Sequence, residues 1–164
     1  TYAGQNLGAA RMDRVRKGVN SALIIAAVYA VASLIILHYA DIAIMGLFLD
    51  TAKEVEIVAM GRQYLFWNSV FFIPLGWLIV WRYSIQGLGF SSLAMLAGVA
   101  EMVARTAVAL ALVPLLGYPG AIMANPAAWV AACLFLYPAY IWTCRQLDNR
   151  LLAAKLHMQS PRAE

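Results

Sequence analysis

Glu101 and Arg105 stand four residues apart in SSLAMLAGVAEMVARTAVALALVPLL, a stretch that holds no other Asp, Glu, Lys or Arg. On a helix this spacing places a carboxylate and a guanidinium on one face, with the acid N-terminal, which is the favourable order. At the centre of a bilayer each charged group costs roughly 2.5–3.5 kcal/mol on insertion scales, so both have to face protein or water and be compensated. Two uses fit such a pair. In one, Glu101 exchanges a proton or helps to bind a cation, while Arg105 sets its acidity and is released or re-paired during a cycle. In the other, the two are permanently joined and lock the surrounding helices. A neighbouring guanidinium keeps a carboxylate ionised, which weighs toward the lock; the residues alone leave both uses open.

The other polar groups in or beside apolar stretches are Asn68, Ser69, Gln86 and Asn125. Asn68, Gln86 and Asn125 are candidates for lining a polar cavity, although hydrogen bonding between helices is the commoner fate of such side chains. The run Phe66, Trp67, Phe71, Phe72 and Trp77 offers π faces either to an aromatic or cationic compound or to lipid. Small residues four apart, Ala94 with Gly98 and Ala127 with Ala131, allow helices to approach closely. The sequence contains no nucleophile–base motif, phosphate loop or metal-ligand spacing, so neither an enzyme nor a metal or organic cofactor is expected. Cys133 and Cys144 lie eleven residues apart. Along a helix that is roughly 16 Å, too far for a disulfide. His38 and His157 each stand alone.

These residues have to be positioned by apolar elements. Of the 164 residues, 63% are hydrophobic and 12% charged, with a mean hydropathy of +0.74, whereas a soluble domain is about 45–50% apolar. The excess forms blocks long enough to cross a hydrocarbon core of about 30 Å. Four are expected to span: about 19–40, about 64–81 with Pro74 and Gly76 near its middle, about 92–116 carrying Glu101 and Arg105, and about 121–143 with Pro126 and Pro138. A kink is expected at Pro74 and Gly76. Alternation with period two over about ten residues, the mark of a transmembrane barrel strand, is missing, which leaves an all-α, polytopic helical membrane protein.

Charge sets the expected direction. Arg11, Arg14, Arg16 and Lys17 precede the first span, Arg82 closes the second, and Arg145, Arg150, Lys155 and Arg162 follow the fourth. The opposite connections, residues 41–63 and 117–120, hold only Lys53 and Arg62 among basic residues. By the positive-inside rule both ends face the cytoplasm, with residues 144–164 a cytoplasmic tail. The net charge of +4 and the pI of 9.3 come from residues beside span ends, which suits anionic headgroups and argues against nucleic acid.

Four stretches resemble MATE (multidrug and toxic compound extrusion) transporters. Gly4-Gln5-Asn6-Leu7-Gly8-Ala9-Ala10, followed by Asp13, Arg14, Arg16 and Lys17, is similar to that family's cytoplasmic turn between its eighth and ninth helices. IMGLFLDTAKEVEIVAMGRQYL resembles the loop before the tenth helix, and Ser84-Ile85-Gln86-Gly87-Leu88-Gly89 the inner turn between the tenth and eleventh. Glu101 with Arg105, then Gly117, Gly120, Asn125-Pro126 and Trp129, is similar to the last two helices of many bacterial members. The resemblance implies four helices in the C-terminal lobe of a twelve-helix transporter, with residues 1–18 a cytoplasmic turn after an earlier helix and an N-terminal lobe as partner. It further implies a multi-pass protein of the cell membrane that exports small organic, often cationic compounds in exchange for H⁺ or Na⁺ by alternating access. The family's acidic residue in the middle of the tenth helix has no counterpart here, because residues 64–81 contain no Asp or Glu; a sodium site of that kind is not expected. Two alternatives remain: a flippase for lipid-linked saccharides from the same superfamily, and a non-transporting four-helix membrane assembly subunit.

Overall fold

A computed structural model describes residues 1–51 and 53–159, with side chains as far as Leu156. Arg162 and the His157 side chain, both noted in the sequence, lie outside the described residues. Among those described, the regular elements are all α-helices: α1 Tyr2–Gly8, α2 Met12–Met45, α3 Val55–Val70, α4 Phe72–Gly87, α5 Ser91–Leu116 and α6 Tyr118–Gln159. Three of them, α2, α5 and α6, are long and apolar enough to cross a membrane. The bent pair α3/α4 makes a fourth span if taken together.

The second span is broken rather than gently kinked, and the break comes earlier than expected. α3 stops at Val70, α4 starts at Phe72, and their axes differ by 50°. Pro74 is the third residue of α4. It has no N–H to give and its ring crowds the carbonyl four residues back, at Val70, so the helix fails in the turn before the proline. Phe71 bridges the two pieces: its N–H bonds the Asn68 carbonyl at 3.1 Å, and its carbonyl receives the Leu75 N–H at 3.2 Å. Ser69 Oγ and Asn68 Nδ2 donate to the carbonyls of Phe66 and Tyr64 in the last turns of α3.

The fourth span also differs from the reading of the sequence. α6 runs unbroken for 42 residues through Pro126 and Pro138, roughly 63 Å of helix. The expected tail is, as far as Gln159, a continuation of this helix beyond membrane thickness. The α5–α6 connection shrinks to Gly117, whose φ of +63° suits a residue without Cβ. Three residues on, a Cβ at Gly120 would stand 2.4 Å from the Leu112 carbonyl oxygen, so only glycine permits so close a return.

α4 is central and packs against every other helix. The core joins Val15 and Val19 of α2, Leu78, Trp81 and Ile85 of α4, Ala97 of α5, and Ala132 and Leu136 of α6. Alanines make the close contacts: Ala97, Ala128 and Ala132 have no exposed surface. On α6 the fully buried pair is therefore Ala128 and Ala132, one residue on from the expected Ala127 and Ala131. Outward, the pattern is inverted relative to a water-soluble bundle. Ile24, Ile25 and Tyr29 on α2, and Met95 and Leu110 on α5, are 65–74% exposed, a surface suited to lipid or to further helices.

Candidate functional site

Glu101 does not pair with Arg105. Its Oε1 accepts from Nη2 of Arg82, on α4, and the two side chains are 17% and 26% exposed. The hairpin geometry explains the partner. Arg82 lies five residues before the end of α4 and Glu101 ten residues after the start of α5, about 8 and 15 Å from the shared turn. A long guanidinium side chain bridges that difference in height. Arg105, one turn further along α5, is exposed and makes no ion pair among the described residues. The carboxylate is thus held by one guanidinium, and a second stands four residues along the same helix. Arg82 Nε is buried without a hydrogen-bond partner among the described residues, so the held guanidinium is incompletely satisfied by them.

A second interhelical pair closes the opposite end. Arg62 Nε of α3 donates to Asp41 Oδ2 of α2 at 2.5 Å, and Asp41 Oδ1 accepts the Ile42 N–H at 2.7 Å. Asp41 is only 8% exposed. Both residues fall in the expected connection 41–63, yet Asp41 belongs to α2 and Arg62 to α3. The signal that was present is an Asp at the edge of an apolar block facing an Arg in an amphipathic run, 21 residues away.

The cavity candidates divide. Asn68 and Asn125 gather around Tyr64: Asn68 Nδ2 donates to the Tyr64 carbonyl at 3.0 Å, and Asn125 Nδ2 to the Tyr64 hydroxyl at 3.3 Å, tying α6 to α3. Asn68 Oδ1 is buried with no partner among the described residues. Gln86 stands apart, exposed on the last turn of α4, where its main-chain carbonyl accepts the Gly89 N–H at 3.0 Å. No hydrogen bond joins the asparagine cluster to Glu101 among the described residues. Of the aromatic run, Trp77 joins Trp81 at 5.9 Å between ring centres, and Trp81 meets Tyr137 of α6 at 5.3 Å.

At the end where the chain enters and leaves, Arg16 of α2 pairs with Asp148 of α6. Two of the glycine-containing stretches singled out in the sequence also touch there: a Cβ at Gly4 would stand 3.0 Å from the Gly87 carbonyl oxygen. α1 therefore docks on the end of α4, and the start of α2 lies on the same side of the bundle as the far part of α6. No protein-family model, curated protein or solved structure matches the chain.

Proposed function

We propose that this chain is part of a MATE-type secondary efflux antiporter, in which its four spans belong to the C-terminal lobe and work against an N-terminal lobe of the same transporter. The single observation that carries most weight is the Glu101 carboxylate, set deep in an apolar helix, held from a second helix by Arg82 and lying one turn from the unpaired Arg105. A carboxylate with two alternative guanidinium partners can be neutralised by a proton and re-paired as helices shift, and this is how a coupling ion biases inward- and outward-open states. Two further features support the same reading. The broken α3/α4 span resembles the discontinuous helices from which transporters build midplane sites. Arg105 on an exposed face of α5 calls for water or an anionic group there, which the wall of a cavity between lobes supplies.

In this reading the protein resides in the cell membrane with both ends cytoplasmic, the substrates are amphipathic or cationic organic compounds, and no enzymatic step or organic cofactor is involved. Among the described residues no three His, Cys, Asp or Glu side chains converge as metal ligands, and the coupling ion is H⁺ or Na⁺. The test is ethidium efflux in everted vesicles carrying the chain with its N-terminal lobe, driven by an imposed proton or sodium gradient. Glu101→Gln is expected to abolish the gradient-driven component while leaving the protein in the membrane. Wild-type coupled efflux in that variant would remove Glu101 from coupling and return the pair to a purely structural role.

A further inference from the structure

Two adjoining cavities on the α4–α6 side share lining residues and differ sharply in chemistry. The first, about 300 Å³, lies near the Arg16–Asp148 pair and is lined by Arg16, Asn20, Tyr140 and Arg145 over a floor that includes Trp81 and Tyr137. The second, about 520 Å³, begins at Trp81 and Tyr137 and continues past Trp77 and Leu134 to Pro74 and Val130, with almost no polar surface. From Arg145 to Val130 is fifteen residues of one helix, roughly 22 Å. That is the length of one phospholipid from headgroup to the end of its acyl chain, half of a bilayer of about 40–45 Å with its headgroups.

The polar end has the charge and the unused donor that an anion requires. Arg16 is balanced by Asp148, while Arg145 is exposed and makes no ion pair among the described residues. The cavity thus carries an uncompensated positive charge. Tyr140 is 8% exposed, and its hydroxyl oxygen is buried with no hydrogen bond among the described residues; Arg16 and the Cys144 thiol are its polar neighbours. A basic pocket between spans, at the level of the span ends and on the side where basic residues gather, matches the way membrane proteins take up anionic lipid headgroups.

We infer that this continuous groove binds one anionic phospholipid, its phosphate held by Arg145, Arg16 and Tyr140 and one acyl chain lying along Trp81, Tyr137 and Trp77. The site depends on insertion in a membrane and not on transport. Tryptophan quenching by brominated lipids tests it, because Trp77 and Trp81 both line the apolar half. The chain with Trp67, Trp129 and Trp142 replaced by Phe is reconstituted in phosphatidylcholine vesicles, containing equal mole fractions of either brominated phosphatidylglycerol or brominated phosphatidylcholine. Phosphatidylglycerol is expected to be favoured about fivefold, the preference that one unbalanced arginine near a headgroup confers. Arg145→Gln, and separately Tyr140→Phe, should erase most of that preference. Equal quenching by the two lipids would overturn the site and leave ordinary annular contact, a result that needs no substitution at the site itself. A preference untouched by both substitutions would also overturn it, by placing the selectivity elsewhere. Quenching abolished by added glycerol phosphate would assign the pocket to a soluble phosphate compound and overturn the lipid assignment; quenching that survives it supports the lipid.

Discussion

The two partners of the Glu101–Arg82 pair are not equivalent once separated. Arg82 lies about 8 Å from the end of α4 and has a side chain long enough to carry its charge toward the headgroups. Glu101 has no such reach, and Arg105 is the guanidinium left within a turn. Arg82→Ala is therefore expected to be cushioned by re-pairing with Arg105, and Arg82→Ala combined with Arg105→Ala to lose about 3 kcal/mol, the low end for stranding a buried charge because both side chains retain some exposure. Unfolding of the reconstituted single and double variants measures this, and strict additivity of the two substitutions would show that Arg105 never takes up the carboxylate. The depth of Glu101 was legible from its position within an uncharged run. Its partner was not, because spacing rules speak only of neighbours on one helix, while Arg82 arrives from across a turn 19 residues away. Asn125 and Tyr64, 61 residues apart, were hidden for the same reason.

At the scale of elements, the break in the second span belongs to Pro74, and the Asn68 and Ser69 side chains bond to carbonyls in the turns before it. Restoring an N–H with Pro74→Ala is expected to let α3 and α4 join. Spin labels at positions 57 and 84 would then move apart by about 4 Å, from the bent to the straight geometry of a helix rising 1.5 Å per residue. An unchanged distance would assign the 50° bend to packing against α2 and α6. The sequence made the proline visible but not where its effect falls, since the lost hydrogen bond and the clash both act on the preceding turn. In α6 the same residue type does nothing comparable: Pro126 and Pro138 sit within one continuous helix. Pro126 is fully buried, which lets neighbouring helices hold the backbone in line. Both ends of α5 and the start of α6 were readable to within three residues, around Gly117, whereas α2 begins seven residues before and ends five residues after the expected 19–40 although Lys17 and Asp41 flank that block. Where charged residues continue helical, as beyond Thr143, the membrane boundary and the helix boundary separate, and hydropathy reports only the first.

The described residues form an all-helical bundle around α4, with the start of α2 and the far part of α6 joined through Arg16 and Asp148 and apolar surface turned outward. Charge counting leads to the expectation that both ends lie on one side, and the Arg16–Asp148 pair brings the start of α2 and the far part of α6 to the same side of the bundle. Among the described residues, faces of α2 and α5 stay uncovered, so in the proposed function transport belongs to an assembly larger than this bundle. The proposed function requires four spans in a membrane, and impermeant-maleimide labelling of single cysteines in intact cells tests that most directly. With Cys133 and Cys144 replaced by Ser, a cysteine at Leu47 in the α2–α3 connection should be labelled from outside, and cysteines at Asn6 and Asn149 only after the cells are made permeable. Labelling of position 149 in intact cells, or of positions 6 and 149 from opposite sides, would contradict four crossings with both ends in the cytoplasm.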